Sequence, residues 1–152
     1  MKTALCTTIL SILITFSVNA QLFNSSHVPE EARVNFNLQY PKAKQTNWTK
    51  DTDGYQVRFR SGRHYIVAVY DLQGRSVAEI LKISKDMLPT LARKQLRENY
   101  ASYAIEDAVK IKSVDGRIVY GTHIGTAEES LELVFNDSGY MISITSDEIS
   151  TD

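Results

Sequence analysis

Cysteine is almost missing from this chain of 152 residues, and the single one, Cys6, lies near the N-terminus. Beyond it the chain holds no thiol, which excludes disulfide bonds, thiolate nucleophiles and cysteine-based metal sites. A domain without cross-links has to be stabilised by its hydrophobic core. The chain is long enough for one such core, or for two very small units that share it.

Neither sign of charge is in excess. Seventeen lysine and arginine residues face eighteen aspartate and glutamate residues, for a formal net charge of −1. Removing the first twenty residues would take away only Lys2, which leaves sixteen basic residues against the same eighteen acidic ones. Such a balance gives no attraction to nucleic acid or to anionic lipid, so we expect no nucleic-acid partner.

The N-terminus combines one basic residue with a long run that has no charge. After Lys2, residues 3–21 are rich in Ile, Leu, Thr and Phe, and small residues stand at Val18 and Ala20. This pattern predicts a signal peptide over residues 1–20 that is cleaved after Ala20. The alternative is a membrane anchor, but about eighteen residues that include Thr and Ser are marginal for roughly 30 Å of hydrocarbon.

Export follows from a cleavable signal peptide. Cys6 does not stand at the cleavage point, so the sequence has no lipoprotein signal. We expect the protein in the periplasm or in the extracellular medium, with no stable membrane insertion after cleavage. The sequence does not separate these two locations.

The rest of the chain repeats itself at an offset of sixty residues. Matching positions keep their order along the chain: Val28–Arg33 with Leu88–Arg93, Phe36 with Leu96, and Tyr40 with Tyr100. Farther on, the offset grows only at turns, as insertions in loops would cause. We therefore predict two tandem units that form one compact body, residues 21–86 (the first half) and residues 87–152 (the second half).

Each half is predicted to form one helix followed by four antiparallel strands. Ala32, Phe36 and Tyr40 lie four residues apart, on one face of the first predicted helix. Pro29 suits the first turn of that helix, and Pro41 ends it. Pairs that contain glycine then mark tight turns between short alternating runs. The predicted fold class is α+β: two tandem helix-plus-four-strand repeats, with the helices packed on one sheet face.

The turns also predict which side chains face each other. A two-residue turn at Ser61-Gly62 would place Arg58 opposite Tyr65, and the preceding turn would place Trp48 opposite Phe59. Trp48 and Phe59 then lie on the core face beneath the helix. The same register adds further side chains to that face: Tyr55, Val57, Ile66, Ala68 and Tyr70.

The other face of the first half, which no predicted helix covers, carries arginines beside apolar side chains. A tight turn between the third and fourth strands places Val67 opposite Ile80. Exposed apolar clusters with a polar rim mark interaction sites, and Arg and Tyr are common anchors at interfaces. We predict a binding site formed by Arg58, Arg60, Tyr65, Val67 and Ile80. The alternative is that another part of the chain, or a homodimer partner, covers this patch.

The second half lacks an equivalent apolar patch. Its matching positions are mostly polar, and we expect them to face water: Ser130, Glu132, Val134, Ser143 and Thr145. The two halves are therefore expected to have diverged in use.

Motifs spread over nearly all of the chain beyond residue 20 carry a family resemblance: Val28-Pro29-Glu30-Glu31-Ala32, Phe36, Tyr40-Pro41-Lys42-Ala43, Trp48, Asp53-Gly54-Tyr55, Leu88-Pro89 and Tyr100. Together they resemble the β-lactamase-inhibitor-like (BLIP-like), PepSY-like family of exported bacterial proteins. The resemblance implies a tandem helix-plus-four-strand fold, export and a binding or inhibitory role, and it does not by itself assign an activity. The second half departs from the pattern, because Ala101 replaces the proline after Tyr100 and no tryptophan follows.

No residue pattern predicts a catalytic or metal site. His27, His64 and His123 each lack a second ligand two or four residues away. Asp51–Gly54 resembles part of a calcium loop, but Arg60 stands where the loop needs a bidentate glutamate. No Gly-x-Ser-x-Gly motif, phosphate loop or dinucleotide fingerprint occurs. We expect no cofactor and no metal.

These observations favour an exported, non-enzymatic binding module, similar to a protein or peptidase inhibitor, whose partner is an exported protein or peptide. A first alternative is a self-associating structural or envelope protein, in which the patch forms a homodimer. A second and less favoured alternative is a hydrolase or metal-dependent enzyme that uses His64 or His123.

Overall fold

The computed structural model describes residues 27–147, so the predicted signal peptide lies outside the described residues. Within this range the chain forms an α+β fold with two ten-residue helices and one eight-stranded antiparallel sheet. The helices are α1 (Glu30–Gln39) and α2 (Thr90–Asn99), and a 3-10 turn at Lys85–Met87 precedes α2. The strands are β1 (Lys44–Asp51), β2 (Gly54–Ser61), β3 (His64–Asp71), β4 (Ser76–Lys82), β5 (Ala104–Ser113), β6 (Ile118–Gly125), β7 (Ser130–Asn136) and β8 (Met141–Asp147).

The strands lie in the sheet in chain order, and each pairs antiparallel with the next. β4 and β5 are neighbours although α2 lies between them in the chain, and Ile80 pairs with Ile111 there. The eight strands therefore form one continuous sheet. Side chains from the two halves of the chain meet at its centre.

Both helices begin directly after a proline. Pro29 and Pro89 are the residues before the first helical turns, and their carbonyl oxygens accept the backbone N–H of Arg33 (3.2 Å) and of Arg93 (3.0 Å). The backbone N–H groups at a helix start have no intrahelical partner, so the missing N–H of proline costs little there. Pro41 follows the end of α1, because proline cannot continue a helix.

Each helix contributes an alanine and one larger apolar side chain to a core cluster with the strands. In the first half Ala32 and Phe36 share this cluster with Val28, Trp48, Tyr55, Val57, Phe59, Ala68 and Tyr70. The Phe36 ring lies edge-on to Phe59 and to Trp48, with centroid distances of 5.0 and 5.5 Å. In the second half Ala92 and Leu96 share a cluster with Ile83, Leu88, Ala108, Ile124, Leu131, Leu133 and Phe135. The side chains predicted for the core face of the first half are therefore in its cluster, with Ile66 at the edge.

The β2–β3 turn is shifted relative to the sequence prediction. Ser61 pairs with His64, so residues 62 and 63 form the turn, and Arg58 lies opposite Val67 rather than opposite Tyr65. Gly62 has a φ of 60° and takes the first central position of the turn. A two-residue turn with glycine in that position matches the right-handed twist of the flanking strands.

The β1–β2 register is shifted in the same way, because Trp48 lies opposite Val57 rather than Phe59. A shift of two residues leaves every side chain on its predicted face, since side chains alternate between faces with a period of two. The β3–β4 register is as predicted, with Val67 opposite Ile80.

Candidate binding site on the open sheet face

The sheet face opposite the two helix-containing clusters, called the open face below, has an apolar cluster of its own. Only strand residues form it: Val67, Val69, Ala78, Ile80, Val109, Ile111 and Val134. Val67, Ile80 and Ile111 lie side by side on β3, β4 and β5. The apolar band therefore crosses the join between the two halves.

The predicted site residues divide into an exposed and a buried group. Arg58, Arg60 and Tyr65 are exposed, and Tyr65 keeps 62% of its accessible surface. Val67 and Ile80 keep only 8% and 2%, so the prediction that they form an exposed patch is wrong. On this face Val67 lies between Arg58 and Ile80, and Ile80 lies between Val67 and Ile111 of β5, a neighbour that the first half alone does not contain.

A cavity of about 150 Å³ lies on the open face beside Tyr65. Four of the five predicted residues line it, namely Arg58, Tyr65, Val67 and Ile80. The rest of the lining consists of Phe59, Ile66, Lys82, Asp107 and Val109. The cavity has an apolar floor and a charged rim, on which two cations stand near one carboxylate.

Arg60 lies beside the cavity and does not line it. Its Nε donates a hydrogen bond to the carbonyl oxygen of Gly62 at 3.1 Å. Its guanidinium carbon lies 5.9 Å from the centroid of the Tyr65 ring, within the range of a cation–π contact. Arg60 therefore supports the orientation of Tyr65, the exposed aromatic residue of the rim.

Sequence reasoning missed Lys82, Asp107 and Val109. Lys82 pairs with Val109 across the β4–β5 join, which connects positions far apart in the chain. The residues of a tight turn predict pairing only between the two strands that the turn connects. β4 and β5 are separated in the chain by α2, so their pairing could not be predicted in this way. Lys82 could have been found from sequence, because it lies two residues beyond Ile80 on the same strand and therefore on the same face.

The Asp107 carboxylate at the rim is held by a histidine of β6. Nδ1 of His123 lies 3.0 Å from Oδ1 of Asp107, and the backbone N–H of His123 donates to the same oxygen at 3.3 Å. The bond from the His123 side chain lowers the pKa of Asp107, although partial burial opposes this, and the charge of Lys82 lowers it further. The hydroxyl of Thr122 donates to the Asp107 carbonyl oxygen at 2.5 Å and fixes the backbone there. Asp107 is therefore ionised at neutral pH.

The histidines are not gathered into one centre. His123 is half-buried at the Asp107 pair, whereas His27 and His64 are exposed on other parts of the chain. Among residues 27–147, no group of three or more His, Cys, Asp or Glu side chains has the geometry to hold a metal ion. An oriented histidine can act as a general base, but hydrolysis by a triad also needs an adjacent nucleophile.

Two of the second-half positions that were expected to face water are buried. Glu132 keeps 2% of its accessible surface and Val134 keeps 3%. β7 lies inside the sheet between β6 and β8, and Val134 belongs to the open-face cluster. The prediction of exposure was based on the polar residue types alone and did not include the strands that lie on either side of β7.

Comparison with protein-family models finds no match, and no curated protein matches the sequence. Solved structures do match. A DUF2874 family protein from Bacteroides uniformis superposes with a TM-score of 0.72 at 15% identity, covering 78% of this chain and 89% of that one. A Bacteroides eggerthii protein, provisionally described as periplasmic, gives a TM-score of 0.73 at 11% identity, covering 82% and 94%. A BLIP-like protein from Bacteroides fragilis gives 0.67 at 12% identity, covering 82% and 90%.

At these identities the likeness is one of fold. It confirms the resemblance to BLIP-like proteins that the sequence motifs carried. None of the three descriptions names an enzyme. Within residues 27–147, no helix has both the length and the apolar character needed to cross a membrane.

Proposed function

We propose that this protein is an exported, non-enzymatic binding module that captures an exported protein or peptide on its open face, in the manner of an inhibitor. The observation that carries the proposal is the cavity beside Tyr65, in which Val67 and Ile80 form the floor and Arg58 stands at the rim. Export is supported by the signal-like N-terminal sequence and by a structural neighbour described as periplasmic.

The size of the cavity favours a side chain of a partner over a small molecule. Pockets for drug-sized ligands measure roughly 300–1,000 Å³, whereas this cavity measures about 150 Å³. A cavity of about 150 Å³ holds a single benzene ring. One aromatic or branched aliphatic side chain therefore fits, as expected for an anchor residue at a protein interface.

The charges at the rim determine which partner residues would fit beside that anchor residue. Arg58 and Lys82 present two cations beside the floor, and Asp107 presents one carboxylate that His123 holds ionised. A partner segment with an acidic residue next to its apolar anchor would meet the two cations. Tyr65, exposed at the rim, supplies rigid contact area at low entropic cost.

The proposal includes the organisation of the whole chain. Residues 1–20 are the signal peptide, and residues 21–86 and 87–152 are tandem repeats with their helices on the same face of one sheet. Support comes from the helix bounds, since Glu30–Gln39 and Thr90–Asn99 are sixty residues apart, and from the four strands that follow each helix. Joining the two repeats through β4 and β5 brings Lys82 and Asp107 to the same cavity.

The test is capture of a partner by the protein exported from cells that carry the full gene, used as bait against the other exported proteins of its source. The double variant Tyr65→Ala/Arg58→Glu should lose the partner, and Arg63→Glu is the matched control because Arg63 is exposed and lies outside the cavity lining. Loss of an interface anchor costs at least about 2 kcal/mol, or roughly thirtyfold in affinity. Equal capture by all three proteins would place the binding site elsewhere.

Self-association is the second candidate, and the exposed ring of Tyr65 on the open face favours it. The seven apolar side chains of the open-face cluster are themselves buried, so a second copy would dock through Tyr65 at the edge of this cluster. Tyr65→Glu would then turn a concentration-dependent dimer into a monomer in sedimentation. A wild-type protein that stays monomeric at all concentrations would rule out this candidate.

A further inference from the structure

Two cavities lie at equivalent places on the helix side of the sheet, one in each half. The first-half cavity measures about 300 Å³ and the second-half cavity about 510 Å³. Six lining positions correspond at the sixty-residue offset, among them Arg33 with Arg93 and Tyr40 with Tyr100. The two halves therefore place the same kind of recess at the end of the helix, but they line it differently.

Three positions that hold packed aromatic side chains in the first half hold smaller side chains in the second half, which has the larger cavity. In the first half the Phe36 ring packs edge-on against Trp48 and Phe59. The position sixty residues after Phe36 is Leu96, and the position sixty residues after Trp48 is Ala108. Leu96 lines the larger cavity, whereas Ala108 lies in the core cluster behind it.

The strand register identifies the third smaller residue. Trp48 pairs with Val57, two residues before Phe59. Ala108 pairs with Thr122, two residues before Ile124. Ile124 therefore takes the place of Phe59, and it lines the cavity. Phe36, Trp48 and Phe59 of the first half are therefore all replaced by smaller side chains in the second half, whereas Tyr40 is kept as Tyr100.

The rim of the larger cavity is basic. Lys85, Arg93 and Arg97 line it against one acidic residue, Asp86, whereas Arg33 is the one basic residue in the lining of the smaller cavity. Arg93 is fixed, since its Nε donates to the carbonyl oxygen of Leu88 at 3.1 Å. Within residues 27–147 the side chains of Lys85 and Arg97 take part in no hydrogen bond or ion pair, so both cations can meet a ligand.

Two aromatic side chains form one wall of this cavity. The rings of Tyr100 and Tyr103 lie edge-to-face with centroids 5.6 Å apart. The Tyr103 hydroxyl donates a hydrogen bond to Glu129, which holds the ring in place. Glu129 lies behind Tyr103 and does not itself line the cavity, so three basic residues and one acidic residue, Asp86, remain in the lining.

We propose that the second-half cavity binds a small amphipathic organic anion. Its apolar ring or chain lies against the tyrosine wall, above the buried side chains of Leu96 and Ile124, and its carboxylate, sulfonate or phosphate meets Arg97 and Lys85. A volume of about 510 Å³ falls within the range of small-molecule pockets, roughly 300–1,000 Å³. This site lies on the helix side of the sheet, and it does not depend on the partner proposed for the open face.

The test uses two fluorescent probes that differ by one sulfonate group, the anion anilinonaphthalene sulfonate and the neutral N-phenyl-naphthylamine. The sulfonate should bind the protein exported from cells that carry the full gene. Arg97→Asn introduces the residue type that Asn37 has in the first half. It should lower the affinity for the sulfonate about tenfold, as expected for the loss of one charge-assisted hydrogen bond. The neutral probe should keep its affinity in this variant. Lys94→Asn is the control, because it removes one exposed charge of the same helix that does not line the cavity.

Larger side chains that fill the cavity should lower the affinity for both probes. Leu96→Phe and Ile124→Phe each restore a first-half aromatic residue, and either variant that keeps a cooperative melting transition serves the purpose. The open-face variant Tyr65→Ala/Arg58→Glu should bind both probes like wild type. The proposal is overturned if Arg97→Asn and a folded filling variant bind the sulfonate as wild type does, or if the open-face variant alone loses it.

Discussion

The backbone nitrogen of Ala32 lies 2.6 Å from the point where a Cβ atom on Gly74 would stand. Gly74 is in the β3–β4 turn and Ala32 is in the first turn of α1, so the turn and the helix touch through their backbones. Gly139 has the same relationship to Ala92 in the second half, at 2.8 Å. These two contacts fix the distance between each helix and its sheet.

Gly74→Ala is therefore expected to destabilise the protein by more than backbone strain alone. Gly74 has a φ of 84°, which costs an alanine about 1–2 kcal/mol, and the new Cβ would also force Ala32 away. We expect a total loss of about 2–4 kcal/mol in urea unfolding. Gly62→Ala is the control, because Gly62 has a φ of 60° but nothing within 4 Å of its missing Cβ. Equal losses of unfolding free energy in the two variants would show that a Cβ atom at position 74 does not clash with the helix.

Asp107→Asn should lower stability at neutral pH and have little effect in acid. The bond from His123 lowers the pKa of Asp107 in the folded protein, so the stabilisation is complete above the unfolded carboxyl pKa of about 4. It is lost as the pH falls through the lower folded pKa. We expect a loss of about 1 kcal/mol at pH 7 for this partly exposed pair.

Urea unfolding at pH 7 and near pH 2 measures this difference. Asp115→Asn is the comparison, because Asp115 pairs with Arg117 at 2.7 Å on the exposed surface and should contribute less. If Asp107→Asn lowers the free energy of unfolding by the same amount at both pH values, the Asp107–His123 pair does not stabilise the protein through the charge of Asp107.

Tyr70→Phe should protect the protein against alkali. Tyr70 is fully buried, and its hydroxyl has no hydrogen-bond partner among residues 27–147. Burial raises the pKa of Tyr70 to about 12. Above pH 10 the unfolded chain ionises Tyr70 first, so wild type loses stability up to about pH 12 through a group that the variant lacks.

Stability measured between pH 8 and pH 11.5 checks this expectation. Below pH 10 the variant should be as stable as wild type or more so, since it removes a polar group that is buried without a partner. A variant that is less stable than wild type at neutral pH would indicate that the Tyr70 hydroxyl is bonded after all.

The faces of the sheet could be predicted from sequence, whereas the walls of the cavity could not. Alternation along β2 and β3 assigned Arg58, Tyr65 and Val67 to one face, and the two-residue error in the turn register did not change that face. Val67 and Ile80 were expected to be exposed because only the first half was considered. Their burial depends on β5, whose pairing with β4 no local turn signal predicts.

The open-face binding site is the central claim, and photo-crosslinking tests it most directly. A benzoylphenylalanine at Tyr65 would lie at the rim of the cavity, and the same residue at Tyr140 is the control, since the two tyrosines are 62% and 60% exposed. Irradiation of the protein in its own exported environment is expected to give an adduct with another exported protein or peptide from position 65 and none from position 140. Adducts from position 140 alone, or only dimers of this chain from position 65, would contradict capture of a partner on the open face.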